Sequence, residues 1–243
     1  MPRFFMAGTN FKGGMAIIRG RDAEHVRVLR LRPGEDLIIC DAQGTDYKCR
    51  LVSAEPDQVE AEVIEVVPCP AEPSVAVTVL CGLPKGDRVD YIIQKCVEAG
   101  AAEIVFFLSE RCVARPDAPE KKLERWQRIA EEAAKQSGRG IIPQVRWAGE
   151  YVEALNIANQ KELKIFLYET GEREGLDAVL EANKGAKSVA LITGPEGGFA
   201  PFEADLARIV GLHICSMGER ILRCETAPVV ATTAVMYATG NLS

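Results

Sequence analysis

Residues 74–108 read SVAVTVLCGLPKGDRVDYIIQKCVEAGAAEIVFFL. Val75 to Cys81 is a continuous apolar run, Asp87 to Ala99 carries helical periodicity and stops at Gly100, and Glu103 to Leu108 is a second apolar run. A strand apolar at nearly every position must be covered on both faces, which is the condition of a parallel sheet sandwiched by helices. The rhythm continues downstream. Further strands are predicted at Lys164–Tyr168, Ser188–Thr193 and His213–Met217, with helices at Pro119–Ser137, Leu176–Asn183, Phe202–Val210 and Glu225–Thr239. The fold class is therefore α/β, and ligands are expected beyond the carboxyl ends of the strands.

Upstream, Pro68-Cys69-Pro70-Ala71-Glu72-Pro73 places three prolines in six residues. Such a segment suits neither helix nor central strand, so a domain boundary is predicted there, separating residues 1–70 from 74–243. The first part reads as short strands, Asp36–Cys40, Tyr47–Val52 and Val59–Val67, joined by turns at Ala42-Gln43-Gly44 and Glu55-Pro56-Asp57. One helix is predicted over Asp22–Leu31, with Asp22 as N-cap and Pro33-Gly34 as its stop. A small β-barrel carrying a basic helix is the expected architecture.

The 243 residues are 47% hydrophobic and 26% charged, the balance of an ordinary globular protein rather than a collagen, a mucin-like stalk or a disordered tail. A net charge of −6 argues against indiscriminate electrostatic attraction to nucleic acid, but the charge is segregated. Residues 1–32 hold seven Lys/Arg against two acids, a net of +5, and the rest holds 22 against 33, a net of −11. The eight cysteines are scattered with no C-x-x-C pair, so reduced thiols in a cytoplasmic protein are expected and no metal site is. Met1 to Gly8 lacks the apolar core of a signal peptide. The uncharged last 18 residues contain Pro228, four threonines and Asn241, which disfavours a membrane span.

Three segments can carry chemistry. Thr193-Gly194-Pro195-Glu196-Gly197-Gly198-Phe199 follows a strand, and its glycines permit positive φ and close approach of a ligand to backbone. It lacks the Lys-Ser/Thr of a phosphate loop and the spacing of a dinucleotide fingerprint, and a tight strand-to-helix turn is the alternative. Met217-Gly218-Glu219-Arg220-Ile221-Leu222-Arg223-Cys224-Glu225-Thr226-Ala227 also follows a strand. Here Glu225 opens a helix, and the plain alternative makes it a helix-terminal charge with Arg223 as its ion-pair partner. Two such loops form a pocket lined mainly by backbone, suited to a flat purine with a flexible tail. The third segment is the helix over 120–137, whose Lys121, Lys122, Arg125, Arg128 and Lys135 form either a nucleic-acid face or a merely solvated one; Trp126 falls on the buried stripe. With only His25 and His213, no Ser-His-Asp set can be assembled.

Taken together, Pro2-Arg3-Phe4-Phe5, His25 with Val28-Leu29-Arg30, Gly82-Leu83-Pro84-Lys85-Gly86-Asp87-Arg88, Glu132-Ala133-Ala134-Lys135-Gln136-Ser137-Gly138-Arg139, Gly194-Pro195-Glu196-Gly197-Gly198 and Gly218 through Ala227 occur in an order and at separations that are specific. In them the sequence resembles the RsmE family, bacterial small-subunit rRNA uridine-N3 methyltransferases of the SPOUT superfamily. Glu24, Glu219 and Cys224 depart from that family's pattern of histidine, proline and threonine.

The resemblance implies an N-terminal PUA-like β-barrel for RNA and a C-terminal parallel sheet with a deep trefoil knot that binds S-adenosylmethionine. It further implies a homodimer acting in the cytoplasm on 16S rRNA of the small subunit, with no membrane or DNA partner. Gly194, Pro195, Gly197, Gly198, Met217, Gly218, Ile221, Leu222, Thr226 and Ala227 are expected to enclose the cofactor, with Leu167 and Ile192 at neighbouring strand ends. Arg223 is expected to stabilise charge on the reacting uracil and Glu225 to orient it, with Glu196 or water taking the N3 proton. Arg3, Lys12, Arg19, Arg21, Arg27 and Arg30, followed by Lys85, Arg111 and Arg139, are the expected phosphate contacts. A catalytically idle RNA-binding or assembly protein of the same fold is the rival from another class, and a nicotinamide oxidoreductase would need the missing fingerprint.

Overall fold

The computed structural model describes residues 1–5, 11–115 and 118–242; the side chains of Arg21, Asp22 and Glu120 also lie outside the description. The chain divides into two compact units, Met1–Glu72 with Ala134–Ile142, and Pro73–Ala133 with Pro143–Ser243.

In the first unit, β1 (Arg3–Phe5), β2 (Phe11–Lys12), β3 (Met15–Arg19), β4 (Asp36–Cys40), β5 (Thr45–Ala54) and β6 (Gln58–Pro68) form one sheet in the order β1-β4-β5-β6-β3-β2. All pairs are antiparallel except β1 with β4. Alternate residues point inward, so Ile18, Leu37, Ile39, Leu51 and Val59 are wholly buried with Phe4 and with Val26 of α1 (Gly20–Val28). Against expectation, α1 starts with Arg19 as N-cap, three residues before Asp22, and ends at Val28 rather than at Leu31. Arg30 takes φ +56°, a left-handed stop, and Val28 and Leu29 are left exposed.

Two arginines expected on the RNA face are instead internal to this unit. Arg3 donates two hydrogen bonds to Asp46, 2.8 and 2.6 Å, and one to the Cys69 thiol. Arg139, 3% exposed, pairs with Glu72 at 2.8 Å, while the same carboxylate accepts the N–H groups of Gly140 and Ile141. A buried guanidinium committed to a carboxylate cannot also serve a phosphate without stripping that carboxylate of its counter-charge.

The second unit is built on seven parallel strands in the order β11-β13-β10-β12-β7-β8-β9. These are β7 (Ala76–Gly82), β8 (Glu103–Leu108), β9 (Gln144–Glu150), β10 (Leu163–Leu167), β11 (Glu174–Gly175), β12 (Ser188–Thr193) and β13 (His213–Ser216). Helices α2 (Arg88–Glu98), α3 (Glu120–Ser137), α4 (Tyr151–Ala158), α5 (Leu176–Ala182), α6 (Pro201–Ile209) and α7 (Thr226–Ala238) connect or flank them. Of these, β9, α4 and β11 go beyond the elements predicted from the sequence. Trp126 is core, 2% exposed and 5.1 Å from the Phe106 ring. Phe107, Tyr151, Phe166 and Phe199 form an aromatic nucleus under the strand ends, with Phe166 and Phe199 centroids 4.3 Å apart. Among the described residues no helix is long and apolar enough to cross a membrane, and no cluster of His, Cys, Asp or Glu could hold a metal.

Candidate functional site

β13, β10 and β12 are consecutive in the sheet, so their carboxyl ends at Ser216, Leu167 and Thr193 open onto one place. A cleft of about 550 Å³ lies there, the size of an ordinary small-molecule site. Its walls are the ends of those strands and the loops after them. Leu167, Gly194, Pro195, Gly198, Met217, Gly218, Ile221, Leu222 and Ala227 line it, as do Arg223 and Glu225. Ile192 does not, being sealed in the core; Gly197 faces Arg111, and Thr226 uses its N–H on the Arg223 carbonyl at the start of α7.

The glycine-rich loop is shaped by what a side chain would strike. Gly198 has φ +65°, and a Cβ there would lie 2.7 Å from Glu169 Oε1. At Gly194 a Cβ would come within 3.2 Å of the Phe199 ring. Gly82, at the end of β7, lies under Pro195, and its Cβ would sit 2.6 Å from Pro195 Cδ and 2.8 Å from Pro195 N. Gly82→Ala is therefore expected to cost about 1–3 kcal/mol by overpacking against backbone. Thermal unfolding checks this, and an unchanged melting temperature would show that the loop yields freely.

The expected Arg223–Glu225 pair is absent. Glu225 Oε2 instead lies 3.5 Å from Arg88 Nε, on the first residue of α2, and accepts from the Cys224 thiol at 3.2 Å. Arg88 Nη1 also donates to Glu196 Oε1, which accepts the Lys85 N–H at 2.7 Å. Arg223 is exposed and has no ion pair among the described residues, which leaves its guanidinium available at the cleft. The signal that could have exposed Arg88 is its position: a cation on the first turn opposes the positive end of the helix dipole and calls for carboxylates from elsewhere.

Partial desolvation pushes the Glu225 carboxyl up, but its own N–H, the Cys224 thiol and the charges of Arg88 and Arg223 outweigh that and hold it below the ordinary value. It is thus ionised at neutral pH. Burial, then the neighbouring Glu225, pushes the Cys224 thiol up to about 12, and burial takes Cys215 to about 12 as well. Both line the cleft as neutral thiols, so neither offers a thiolate nucleophile.

Arg111 is exposed and braces the glycine-rich loop, donating to the Gly197 carbonyl at 3.2 Å. Lys85 is exposed. In the first unit Lys12, Arg19, Arg27 and Arg30 are exposed, Arg19 being held by Gln58 at 2.7 Å. The Arg21 side chain lies outside the described residues.

Comparison with known proteins agrees with this geometry. The family described as RNA methyltransferase domain matches residues 71–236, and that described as RNA methyltransferase PUA domain matches 18–64. The ribosomal RNA small subunit methyltransferase E of Bacillus subtilis is 35% identical over 231 residues, 91% of this chain and 90% of that protein. The Mycobacterium tuberculosis protein of the same name is 33% identical, covering 92% and 86%. The crystal structure of ribosomal RNA small subunit methyltransferase E from Neisseria gonorrhoeae bound to S-adenosyl methionine has a TM-score of 0.84 and 32% identity, covering 98% and 97%. With the strand-end cleft, the two loops that enclose it and this near full-length likeness, the chain belongs to the ribosomal RNA small subunit methyltransferase E family.

Proposed function

We propose that the protein methylates N3 of a uridine in 16S rRNA of the small ribosomal subunit, using S-adenosylmethionine. The observation that carries this is a cleft walled by backbone and by Leu167, Met217, Ile221 and Leu222, with an arginine at its edge that has no ion pair among the described residues. The residues fit the cofactor, since Gly194, Pro195, Gly198 and Gly218 bring backbone to the cleft wall beside the apolar side chains of Leu167, Met217, Ile221 and Leu222. When bound, the cofactor supplies an electrophilic methyl on a sulfonium.

The protein's own work is alignment and charge stabilisation. Because N3 lies on the Watson-Crick edge, the uridine must be presented unpaired. Arg223 stabilises the negative charge that develops on the uracil carbonyls as the N3 proton leaves. Glu196 Oε1 is occupied by two donors, so its Oε2 or water accepts that proton. Glu225 acts on Arg223 through its charge rather than through a hydrogen bond.

Residues 1–70 serve as the RNA-binding PUA-like domain and 74–243 as the catalytic domain. Lys12, Arg19, Arg21, Arg27 and Arg30, with Lys85 and Arg111, contact phosphates, which position RNA without reading its sequence. In the sheet β12 fills the gap between β7 and β10 before β13 crosses to the far side of β10, an order that supports a trefoil knot. A homodimer is supported by α7, a helix without charge that exposes Val230 and Tyr237. Eight free thiols favour the cytoplasm.

Incubation with labelled cofactor and unmodified small subunits, followed by mass spectrometry of the nucleosides, tests the reaction. N3-methyluridine is expected, RNA binding without product would favour the idle rival, and a methyl group elsewhere would overturn the specificity. Charge reversal at Arg27 and Arg30 is expected to weaken RNA binding and to flatten the slope of log affinity against log salt by about 2. An unchanged slope removes both residues from the interface.

A further inference from the structure

Two of the loops that wall the cleft leave the sheet from different strands, β12 and β13. Parallel pairing fixes where each loop begins, but nothing in a strand ladder dictates the gap between the loops once the chain has left it. Among the described residues Arg88 is the one side chain with ion pairs to both: Nη1 meets Glu196 of the first loop, and Nε meets Glu225 at the end of the second, 3.5 Å away. The Lys85 N–H reinforces the grip on Glu196 at 2.7 Å, and Arg88 Nη1 lies 3.5 Å from the Lys85 carbonyl, so the start of α2 and the glycine-rich loop form one linked group.

We infer that Arg88 is a positioning residue for methyl transfer, a clasp whose two edges set the separation of the cofactor loops. The inference rests on the methyltransferase reading and goes beyond it, since Arg88, itself on the cleft wall, is assigned its role through Glu196 and Glu225. The planar guanidinium suits the task because it presents two donor edges at a fixed angle, which a lysine ammonium cannot do. Its cost is local: a cation at the first position of α2 is disfavoured by the helix dipole, and the two carboxylates offset that. The side chains of Arg88, Glu196 and Glu225 are 37%, 25% and 19% exposed, so solvent screens these pairs and their contribution to global stability is small. Catalysis is far more sensitive, because misplacement by about 1 Å can cost about 10²-fold in rate.

The test is calorimetric binding of S-adenosylhomocysteine together with kcat and KM on small subunits, for wild type, R88A, R88K and E225Q. The full-length protein is used throughout, with thermal melts alongside. For R88A the melting temperature is expected to stay near wild type, while Kd rises about tenfold and kcat at saturating cofactor falls about 10²-fold. R88K, able to engage one carboxylate at a time, is expected to fall between the two. E225Q is expected to cost less in R88A than in wild type, because part of each effect is the loss of the same link.

R88A with Kd and kcat within twofold of wild type overturns the clasp, as does full rescue by R88K or independent addition of the R88A and E225Q effects. Wild type that binds no S-adenosylhomocysteine overturns the methyltransferase reading itself, which separates the two failures.

Discussion

Arg223→Ala is expected to lower methylation of the small subunit by roughly 10²–10³-fold, the loss seen when one preorganised donor to a developing anion is removed. Affinity for S-adenosylhomocysteine is expected to remain within several-fold. The asymmetry follows from the structure. The Arg223 backbone is structural, its carbonyl accepting the N–H groups of Thr226 and Ala227 at 2.9 Å each, and alanine preserves that. The guanidinium has no ion pair among the described residues, so its loss leaves no buried charge stranded. The deficit should therefore appear in kcat and not in cofactor binding or melting temperature. Arg223→Lys keeps the charge without the planar fork and should recover part of the rate. Near-normal turnover by Arg223→Ala would remove this residue from the mechanism.

Arg139→Ala is expected to destabilise the first unit by about 2–4 kcal/mol, since it removes the counter-charge of the mostly buried Glu72 carboxylate and leaves it only the N–H groups of Gly140 and Ile141. Denaturant unfolding at pH 7 checks this, and a change below about 1 kcal/mol would place the pair among the solvated ones. The pH dependence has a definite sign. Burial pushes the Glu72 carboxyl up, but the hydrogen bond and charge of Arg139, with the N–H groups of Ile141 and Gly140, bring it below the ordinary value. A carboxylate lowered by folding adds stability that is complete above its unfolded pKa, about 4.3, and is lost as pH falls through the lower folded value. Wild type should thus keep this contribution at pH 6 and lose it in strong acid, whereas Arg139→Ala should lack the part that Arg139 supplies even at neutral pH.

Both residues show where reading a chain reaches its limit. Arg139 stands at the end of a cation-rich helix, and by charge and local pattern it belongs with the RNA-facing arginines; only the fold of Ala134–Ile142 against Glu72 reveals a buried ion pair. Arg3 is a parallel case, its partner Asp46 being 43 positions away. The pairing of Arg223 with Glu225 is plausible from their spacing, yet Glu225 turns to Arg88, 137 positions earlier in the chain. The elements that escaped notice are short or mixed in pattern. β9 is an edge strand with Arg146 and Trp147 in it, and α4 follows it without a break at Tyr151.

By contrast, Ser188–Thr193 and Glu103–Leu108 form strands at the predicted residues, and the cleft opens between the two loops singled out for it. What the amino-acid order determined alone was much of what depends on near neighbours: apolar runs that must be covered on both faces, glycines that admit close approach, and a parallel sheet with its site at the carboxyl ends. What only tertiary structure decided was which charge meets which. Ion pairing depends on distance in space and on exclusion of water, and the order of strands across a sheet, rather than along the chain, sets both.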